Sequence, residues 1–402
     1  MEMESRYGAH NYHPLPVVLS RGEGVYVWDV DGKRYYDFLS AYSAVNQGHG
    51  HPKIVRTLQE QAARLALTSR AFYNDKLGPY EKFITEMFGY DKVLPMNTGA
   101  EGVETAIKLV RKWAYEKKGI PRYEANIIVA EGNFHGRTTT IVSFSTDPEA
   151  KEGFGPYTPG FTSVPYNDLE ALEKAIQTHP NTIAFLVEPI QGEAGVNVPD
   201  EGYLKGAKEI CEKYDCLLIA DEIQTGIART GRMLASDHEG VRPDVLILGK
   251  ALSGGVYPIS AVLADDDIML SIKPGQHGST FGGNPVAAAV AVAALEVVRD
   301  EDLAGNAARM GELFRNLLAR RTEGNPFVKQ IRGKGLLNAM VINDTPESDT
   351  AWNICLNMAD KGLLAKPTHG NIIRFAPPLV INEEQIREAV DIIAQSLEEY
   401  AR

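Results

Sequence analysis

The residues with the most chemical promise stand at the ends of apolar runs. Val245-Leu246-Ile247-Leu248 is followed at once by Gly249-Lys250, then by Ala251-Leu252-Ser253-Gly254-Gly255. Four apolar residues read as a buried strand, and the small residues after them read as a turn rather than a helix continuation. A lysine at the end of such a strand is partly desolvated, which favours the neutral amine. A neutral amine is a nucleophile able to form a Schiff base with a carbonyl. On this window alone, a solvated lysine whose stem covers apolar surface is the better reading.

Other strand ends change the balance. Cys216-Leu217-Leu218-Ile219-Ala220 runs into Asp221-Glu222-Ile223-Gln224, and Ile183 to Val187 runs into Glu188. Ile127-Ile128-Val129-Ala130 leads to the loop Asn133-Phe134-His135-Gly136-Arg137-Thr138. Asn97-Thr98-Gly99-Ala100 opens a helix, whose first backbone N–H groups are free for an anion. It is neither a Walker A loop nor G-x-G-x-x-G. An aromatic such as Phe134 can stack on a flat ring, and Arg137 can fork a carboxylate. Each feature alone is common. Together a phosphate cradle, a ring-stacking aromatic, a buried carboxylate and a Schiff-base lysine specify pyridoxal phosphate (PLP). The carboxylate would keep the pyridine nitrogen protonated and make the ring an electron sink.

These groups meet only if strands and helices alternate. Residues 92–264 alternate in that way, which predicts an α/β fold with a largely parallel sheet flanked by helices. The strand ends then share one rim, where open α/β sheets bind ligands. Before this region, Val25 to Val30 and Lys33 to Phe38 flank Asp31-Gly32 and predict a β-hairpin with a type I′ turn. Residues 52–66 have helical spacing. A helix from about Pro285 to Arg299 follows the glycine-rich loop His277 to Asn284. Residues 301–402 read as a smaller α+β domain closed by a helix over about 383–399. The expected division is an N-terminal arm and hairpin over 1–45, a large domain over 46–300 and the smaller domain over 301–402.

The 402 residues are 44% hydrophobic and 23% charged, ordinary for a globular enzyme. A net charge of -12 argues against nucleic acid or an anionic membrane as partner. The three cysteines, Cys211, Cys216 and Cys355, form no C-x-x-C and point to a reducing compartment rather than a disulfide or zinc framework. His10, His13, His49 and His51 fit no compact metal-ligand spacing. No transmembrane run, signal peptide or Arg-rich transit segment is evident, which predicts a cytoplasmic enzyme, or a matrix enzyme if the chain is processed.

Asp221-Glu222-Ile223-Gln224-Thr225-Gly226 and Leu248-Gly249-Lys250-Ala251-Leu252-Ser253-Gly254-Gly255 put Lys250 29 positions after Asp221. With this pair the chain resembles the class III aminotransferases, PLP enzymes of fold-type I, over nearly its whole length. The stretches 7–16, 42–49, 191–195 and 363–370 narrow the resemblance to members that transfer the δ-amine of ornithine to 2-oxoglutarate. The resemblance implies a seven-stranded, mostly parallel sheet in the large domain. It implies that Lys250 carries the cofactor, Asp221 pairs with its ring nitrogen, Phe134 stacks on the ring and Gln224 bonds the ring oxygen. Gly99 and Ala100 would hold the phosphate, with Ser279 and Thr280 reaching it from the second subunit of a homodimer. Tyr12 and Arg137 would bind the α-amine and α-carboxylate of ornithine, and Tyr42 would line the pocket. Arg374 would bind the α-carboxylate of 2-oxoglutarate, shielded by Glu193 while ornithine reacts. The loop Gly99-Ala100-Glu101-Gly102-Val103-Glu104 departs from the Gly-Val-Glu-Ala-Gly-Glu of animal members, a small change beside the phosphate. The alternatives are a sister enzyme acting on acetylornithine or 4-aminobutyrate, with Tyr12 as discriminator, and a silent PLP-binding protein. Intact Lys250, Asp221, Arg137 and Arg374 argue against the last.

Overall fold

The computed structural model describes residues 1–400. Three strands near the N-terminus, β1 (Leu19–Glu23), β2 (Tyr26–Asp29) and β3 (Arg34–Asp37), form an antiparallel meander. The expected hairpin is present with a different turn. Gly32 is left-handed at φ 86 while Asp31 is not, Gly32 N–H donates to Asp29 O at 3.1 Å, and Asp29 N–H donates to Lys33 O at 3.0 Å. This is a type I turn with a glycine bulge, not type I′. Its cause is Asp29, whose Oδ1 accepts the N–H groups of Asp31 and Lys33 and holds the extra residue in place.

The main sheet comprises β4 (Lys92–Met96), β5 (Asn126–Ala130), β6 (Phe161–Val164), β7 (Thr182–Val187), β8 (Leu217–Asp221), β9 (Val245–Leu248) and β10 (Ser260–Ala264), in the spatial order β4-β10-β9-β8-β7-β5-β6. The pairs from β9 to β6 are parallel, and β10 is antiparallel to both its neighbours. Every residue of β7, β8, β9 and β10 is buried. That fits strands covered on both faces. In β7, Leu186 packs with Val103, Ile107 and Val110 of the helix Gly99–Trp113. Its neighbours Phe185 and Val187 pack on the other side with Leu204 and Ala207 of the helix Tyr203–Lys213. The period of two therefore sends alternate side chains into opposite layers.

The remaining strands are β11 (Val328–Lys334), β12 (Leu337–Ile342), β13 (Leu363–Leu364), β14 (Lys366–Thr368) and β15 (Ile372–Phe375). Four of them make an antiparallel sheet in the order β11-β12-β15-β14, and β13 pairs in parallel with β3 of the N-terminal meander. The helices Leu303–Arg321, Thr350–Asp360 and Glu383–Tyr400 cover this part. Sequence spacing missed the helices Leu77–Phe88 and Leu169–Thr178 and the strand β6. No helix among the described residues is long and apolar enough to cross a membrane.

Candidate active site

The parallel strands β5, β7, β8 and β9 all end on one rim, so the segments after them are neighbours. A cavity of about 210 Å³ there is lined by Gly99, Ala100, Phe134, His135, Gly136, Glu188, Asp221, Ile223, Gln224, Thr225 and Lys250. A second, of about 380 Å³, shares Gly99 and Lys250 with it. The sequence-predicted lysine, carboxylate, aromatic and cradle thus meet in one cleft.

Lys250 begins a short turn after β9 and is itself left-handed at φ 45. Part of the residue is open to the cleft, while its ammonium is enclosed by protein. Burial pulls its pKa down to about 8, helped by the nearby charge of Arg374 and opposed by Glu193, Asp221 and Glu188. At neutral pH about a tenth of the amine is therefore neutral, far more than for an ordinary lysine.

Asp221 closes β8 and is buried. Its Oδ1 accepts the backbone N–H of Ile223 at 3.1 Å, and its Oδ2 accepts from Nδ1 of the fully buried His135 at 2.6 Å. Burial works against the His135 imidazolium, but the bond to Asp221 and the charges of Asp221 and Glu188 outweigh it, and its pKa goes up. His135 Nε2 is buried without a partner. Glu188 follows β7 and accepts from Phe134 N–H at 2.8 Å. Burial pushes its pKa up to about 7, opposed by His135 and reinforced by Asp221. In the sequence, His135 stands out only as one residue of the loop after β5. The available signal was a strand-end aspartate, whose buried charge demands a partner from the adjacent loop.

The cradle is built by the start of the helix Gly99–Trp113. Thr98 Oγ1 accepts from Glu101 N–H at 3.2 Å, while Glu101 accepts the N–H groups of Asn97 and Thr98, a complete capping box. Helix geometry leaves the N–H groups of Gly99 and Ala100 for another acceptor. A Cβ on Gly99 would lie 3.0 Å from Ile223 Cδ1, so glycine permits this close approach. Phe134 is half-buried at the cavity wall, with the Arg137 guanidinium 5.6 Å from its ring centre. A phosphate cradle, an aromatic wall, a buried carboxylate and a low-pKa amine in one cleft fit PLP, and so does the partnerless nitrogen of His135 at its floor.

At the other side of the cleft, β15 places Arg374, which is 2% exposed. Its Nη1 donates to Glu193 Oε2 at 3.0 Å, to Gly192 O at 3.2 Å and to Gln224 Oε1 at 3.2 Å. Gln224 is thus engaged with Arg374 in this state. Burial raises the Glu193 pKa, but the charge and hydrogen bond of Arg374 more than reverse this, and the net shift is downward. Tyr42 lies with its ring centre 4.6 Å from the Arg374 guanidinium carbon. It belongs to a run of left-handed residues, with φ 49 at Ser40, 48 at Ala41, 60 at Tyr42 and 72 at Ser43. Left-handed conformation costs roughly 1–2 kcal/mol per non-glycine residue. Asp37 anchors the run by accepting the N–H groups of Leu39 and Ser40.

Four expected residues stand apart from this cluster. Tyr12 is exposed, although near enough to Tyr42 for its charge to bear on that hydroxyl. Arg137 is exposed at the cleft edge. Ser279 accepts from Asn97 Nδ2 at 2.8 Å, and Thr280 beside it is exposed. The four early histidines gather no metal set: among the described residues no cluster of His, Cys, Asp or Glu could hold an ion. The three cysteines are free and buried.

Known proteins are similar to this chain over nearly its whole length. Rat mitochondrial ornithine aminotransferase is 62% identical over 396 residues, covering 98% of this chain and 89% of its own. The crystal structure of the ornithine aminotransferase from Toxoplasma gondii superposes with a TM-score of 0.97 at 52% identity, covering 100% of this chain and 95% of its own. The crystal structure of an acetylornithine aminotransferase from Elizabethkingia anophelis gives a TM-score of 0.92 at 62% identity, covering 99% and 98%. The family model of class III aminotransferases matches residues 7–397. With that match lying over the lysine, the carboxylate and both arginines, the chain belongs to the class III aminotransferase family.

Proposed function

We propose that this protein is an ornithine δ-aminotransferase: L-ornithine and 2-oxoglutarate give glutamate 5-semialdehyde and glutamate, in two half-reactions on one PLP. The observation that carries the reading is the Arg374–Glu193 pair, 3.0 Å apart, in the cleft that holds Lys250. Two chemically different substrates must use that cleft. A bare Arg374 would attract the α-carboxylate of ornithine and present the wrong amine. Glu193 neutralises it while ornithine reacts, and leaves it when a dicarboxylate enters. Tyr12 and Arg137 would hold the α-amine and α-carboxylate of ornithine at the outer end, with Tyr42 along the wall. Arg137 then serves the distal carboxylate of 2-oxoglutarate while Arg374 takes the α-carboxylate.

PLP, when bound, supplies an electron sink next to the carbon that loses its proton. Gly99 and Ala100 would bind its phosphate through N–H groups, Phe134 would cover its ring and Gln224 would face the ring oxygen. Asp221, oriented by His135 and Ile223 N–H, would set a fixed negative charge against the ring nitrogen. Lys250 Nζ would hold the cofactor covalently, then take the proton from the δ-carbon of ornithine and return it. A base of pKa about 8 suits that transfer near neutral pH.

The reading includes a homodimer in which Ser279 and Thr280 of one subunit complete the phosphate site of the other. Its support is an apolar surface left open on the single chain: Leu65, Leu67, Phe72, Tyr73 and Phe281 are exposed. The two segments carrying them approach each other, since a Cβ on Gly283 would lie 3.3 Å from Arg70. Residues 1–45, 46–300 and 301–402 would serve as substrate-binding arm, cofactor domain and Arg374-bearing domain. Buried free cysteines fit a reducing compartment, whether cytoplasm or the matrix that the name of the rat relative indicates.

A second reading, an acetylornithine aminotransferase, has the Elizabethkingia structure in its favour. Comparing kcat/KM for ornithine and N-acetylornithine decides between them. Ornithine should be preferred by at least about tenfold, because acetylation removes the α-ammonium that Tyr12 and the arm would meet. A preference for N-acetylornithine would overturn the proposed substrate.

A further inference from the structure

The inference concerns how Glu193 is held after it leaves Arg374, and it rests on the gating role proposed above. Lys366 in β14 is the register partner of Arg374 in β15. Directly opposed residues of an antiparallel pair project from the same face, and like charges so placed repel. Two cations therefore stand side by side. Glu193 bonds Arg374 at 3.0 Å and is bonded through its backbone by Thr368, two residues along β14 from Lys366. Its charge opposes the lowering of the Lys366 pKa by burial. The half-buried Lys366 ammonium has no ion pair within 4.0 Å among the described residues.

The Glu193 backbone is pinned, because Thr368 Oγ1 donates to Glu193 O at 2.8 Å. Its side chain is not confined in the same way. It borders a cavity of about 270 Å³ with Phe134, Ala194 and His369, and His369 adds to the positive field on it. A carboxylate leaving Arg374 has room to move, and the register partner of Arg374 on the next strand is a second cation.

We propose that Lys366 is the second seat of Glu193: it receives the carboxylate when a dicarboxylate displaces it from Arg374, and so stabilises the open state of the gate. Lys366 is thereby a positioning residue. It touches neither substrate nor cofactor, and it acts through Glu193. An anion that moves between two cations needs far less energy than one released to a low-dielectric wall. The affinity for the second substrate falls by whatever factor reduces the open fraction.

The test uses the holoenzyme, with glutarate as a non-reacting dicarboxylate probe. Its dissociation constant is measured by calorimetry for wild type, Lys366→Met, Lys366→Arg, Glu193→Ala and the double variant Glu193→Ala/Lys366→Met. Single-turnover rates with ornithine and with 2-oxoglutarate accompany it. In Lys366→Met glutarate binding should weaken about tenfold, and the ratio of the 2-oxoglutarate to the ornithine half-reaction should fall by a similar factor. Lys366→Arg should restore both. In the Glu193→Ala background the same lysine change should have less than about a twofold effect, because there is no carboxylate left to receive. Unchanged glutarate binding in Lys366→Met overturns the proposal. So does a loss that persists undiminished in the Glu193→Ala background, since Lys366 would then meet the dicarboxylate itself. A wild-type enzyme that transfers the ornithine δ-amine but gives these results fails only the Lys366 inference; one that reacts with neither substrate fails the function as well.

Discussion

Lys250 is held at two costs, a left-handed backbone and an enclosed amine. The second has a measurable pH signature in the cofactor-free protein. Its folded pKa, about 8, lies below the unfolded value of roughly 10.4. Below about pH 8 both states carry the proton, and the folded state bears the whole cost of burying the charge. Between about pH 8 and roughly 10.4 the unfolded state binds more protons, so this contribution to stability rises with pH. Lys250→Met should therefore stabilise the cofactor-free chain at pH 7, by up to about 3 kcal/mol for a shift of this size. The advantage should shrink as pH approaches 10. Denaturant unfolding of both proteins at pH 7, 8.5 and 10 checks this, and a gap that stays constant with pH would contradict it. Lys250→Ala should also abolish turnover, since loss of the general base alone removes roughly 10²–10⁴-fold. A Lys250 variant that is more stable and inactive separates the chemical role from the structural one.

At the scale of elements, the site is a set of short loops at the ends of strands, and one glycine shows how tightly they fit. A Cβ on Gly192, just beyond β7, would stand 2.3 Å from Gln224 Oε1, and the carbonyl of Gly192 accepts from Arg374. Gly192→Ala should push Gln224 off Arg374 and move the anchor, while the buried strands stay intact. We expect a rise of about tenfold or more in the KM for 2-oxoglutarate, with a small change in thermal stability, because misplacement by about 1 Å costs on the order of 10²-fold in a positioned site. Steady-state kinetics with each substrate varied in turn would reveal it, and an unaltered KM would refute the fit. These loops also mark the limit of what sequence can say. Lys250, Asp221 and Glu188 were legible because each follows a short apolar run, and the strand–loop boundary fixes which residue faces the rim. His135 and Lys366 were not, because their importance lies in partners 86 residues away for His135 and on the adjacent strand for Lys366. Asp31-Gly32 reads as a type I′ turn from its two central residues, whereas the Asp29 side chain selects the turn that forms. The left-handed run at Ser40–Ser43 has no glycine to announce it. It follows from the N–H groups that Asp37 collects.

On the scale of the whole molecule, Lys250 and Arg374 sit on different sheets, so the reaction depends on how those sheets are held together. Arg229 is a central tie. It is wholly buried, and its Nη1 donates to Leu336 O at 3.0 Å and Pro377 O at 2.6 Å. Its Nη2 donates to Asn46 Oδ1 at 2.5 Å, and Leu336 N–H returns a bond to Arg229 O at 3.1 Å. Asn46 in turn donates to Ile227 O at 2.7 Å and accepts from Leu379 N–H at 2.8 Å. One guanidinium thus joins the segment after β8, the segment after β3, and both strands' ends around β12 and β15. Burial pulls its pKa down to about 9, with Asp37 opposing. The same Asp37 collects the backbone N–H groups beneath Tyr42, so the tie and the pocket wall share a charge. Arg229→Met fills much of the volume but strands three acceptors, each costing about 1–3 kcal/mol when left unpaired in the interior. The first unfolding transition should fall by at least about 6 °C, since the smallest combined loss, about 3 kcal/mol, is worth about 2–4 °C per kcal/mol in domains of 150–250 residues. Arg229→Lys should recover little, because a point-like ammonium cannot span acceptors arranged for a planar fork. Since the tie sets Arg374 relative to Lys250, the surviving enzyme should also lose 2-oxoglutarate affinity at temperatures where it remains folded. Calorimetric unfolding alongside KM for 2-oxoglutarate tests both halves. An Arg229→Met protein that melted earlier yet kept its wild-type KM would show that the two sheets find their relation through packing alone.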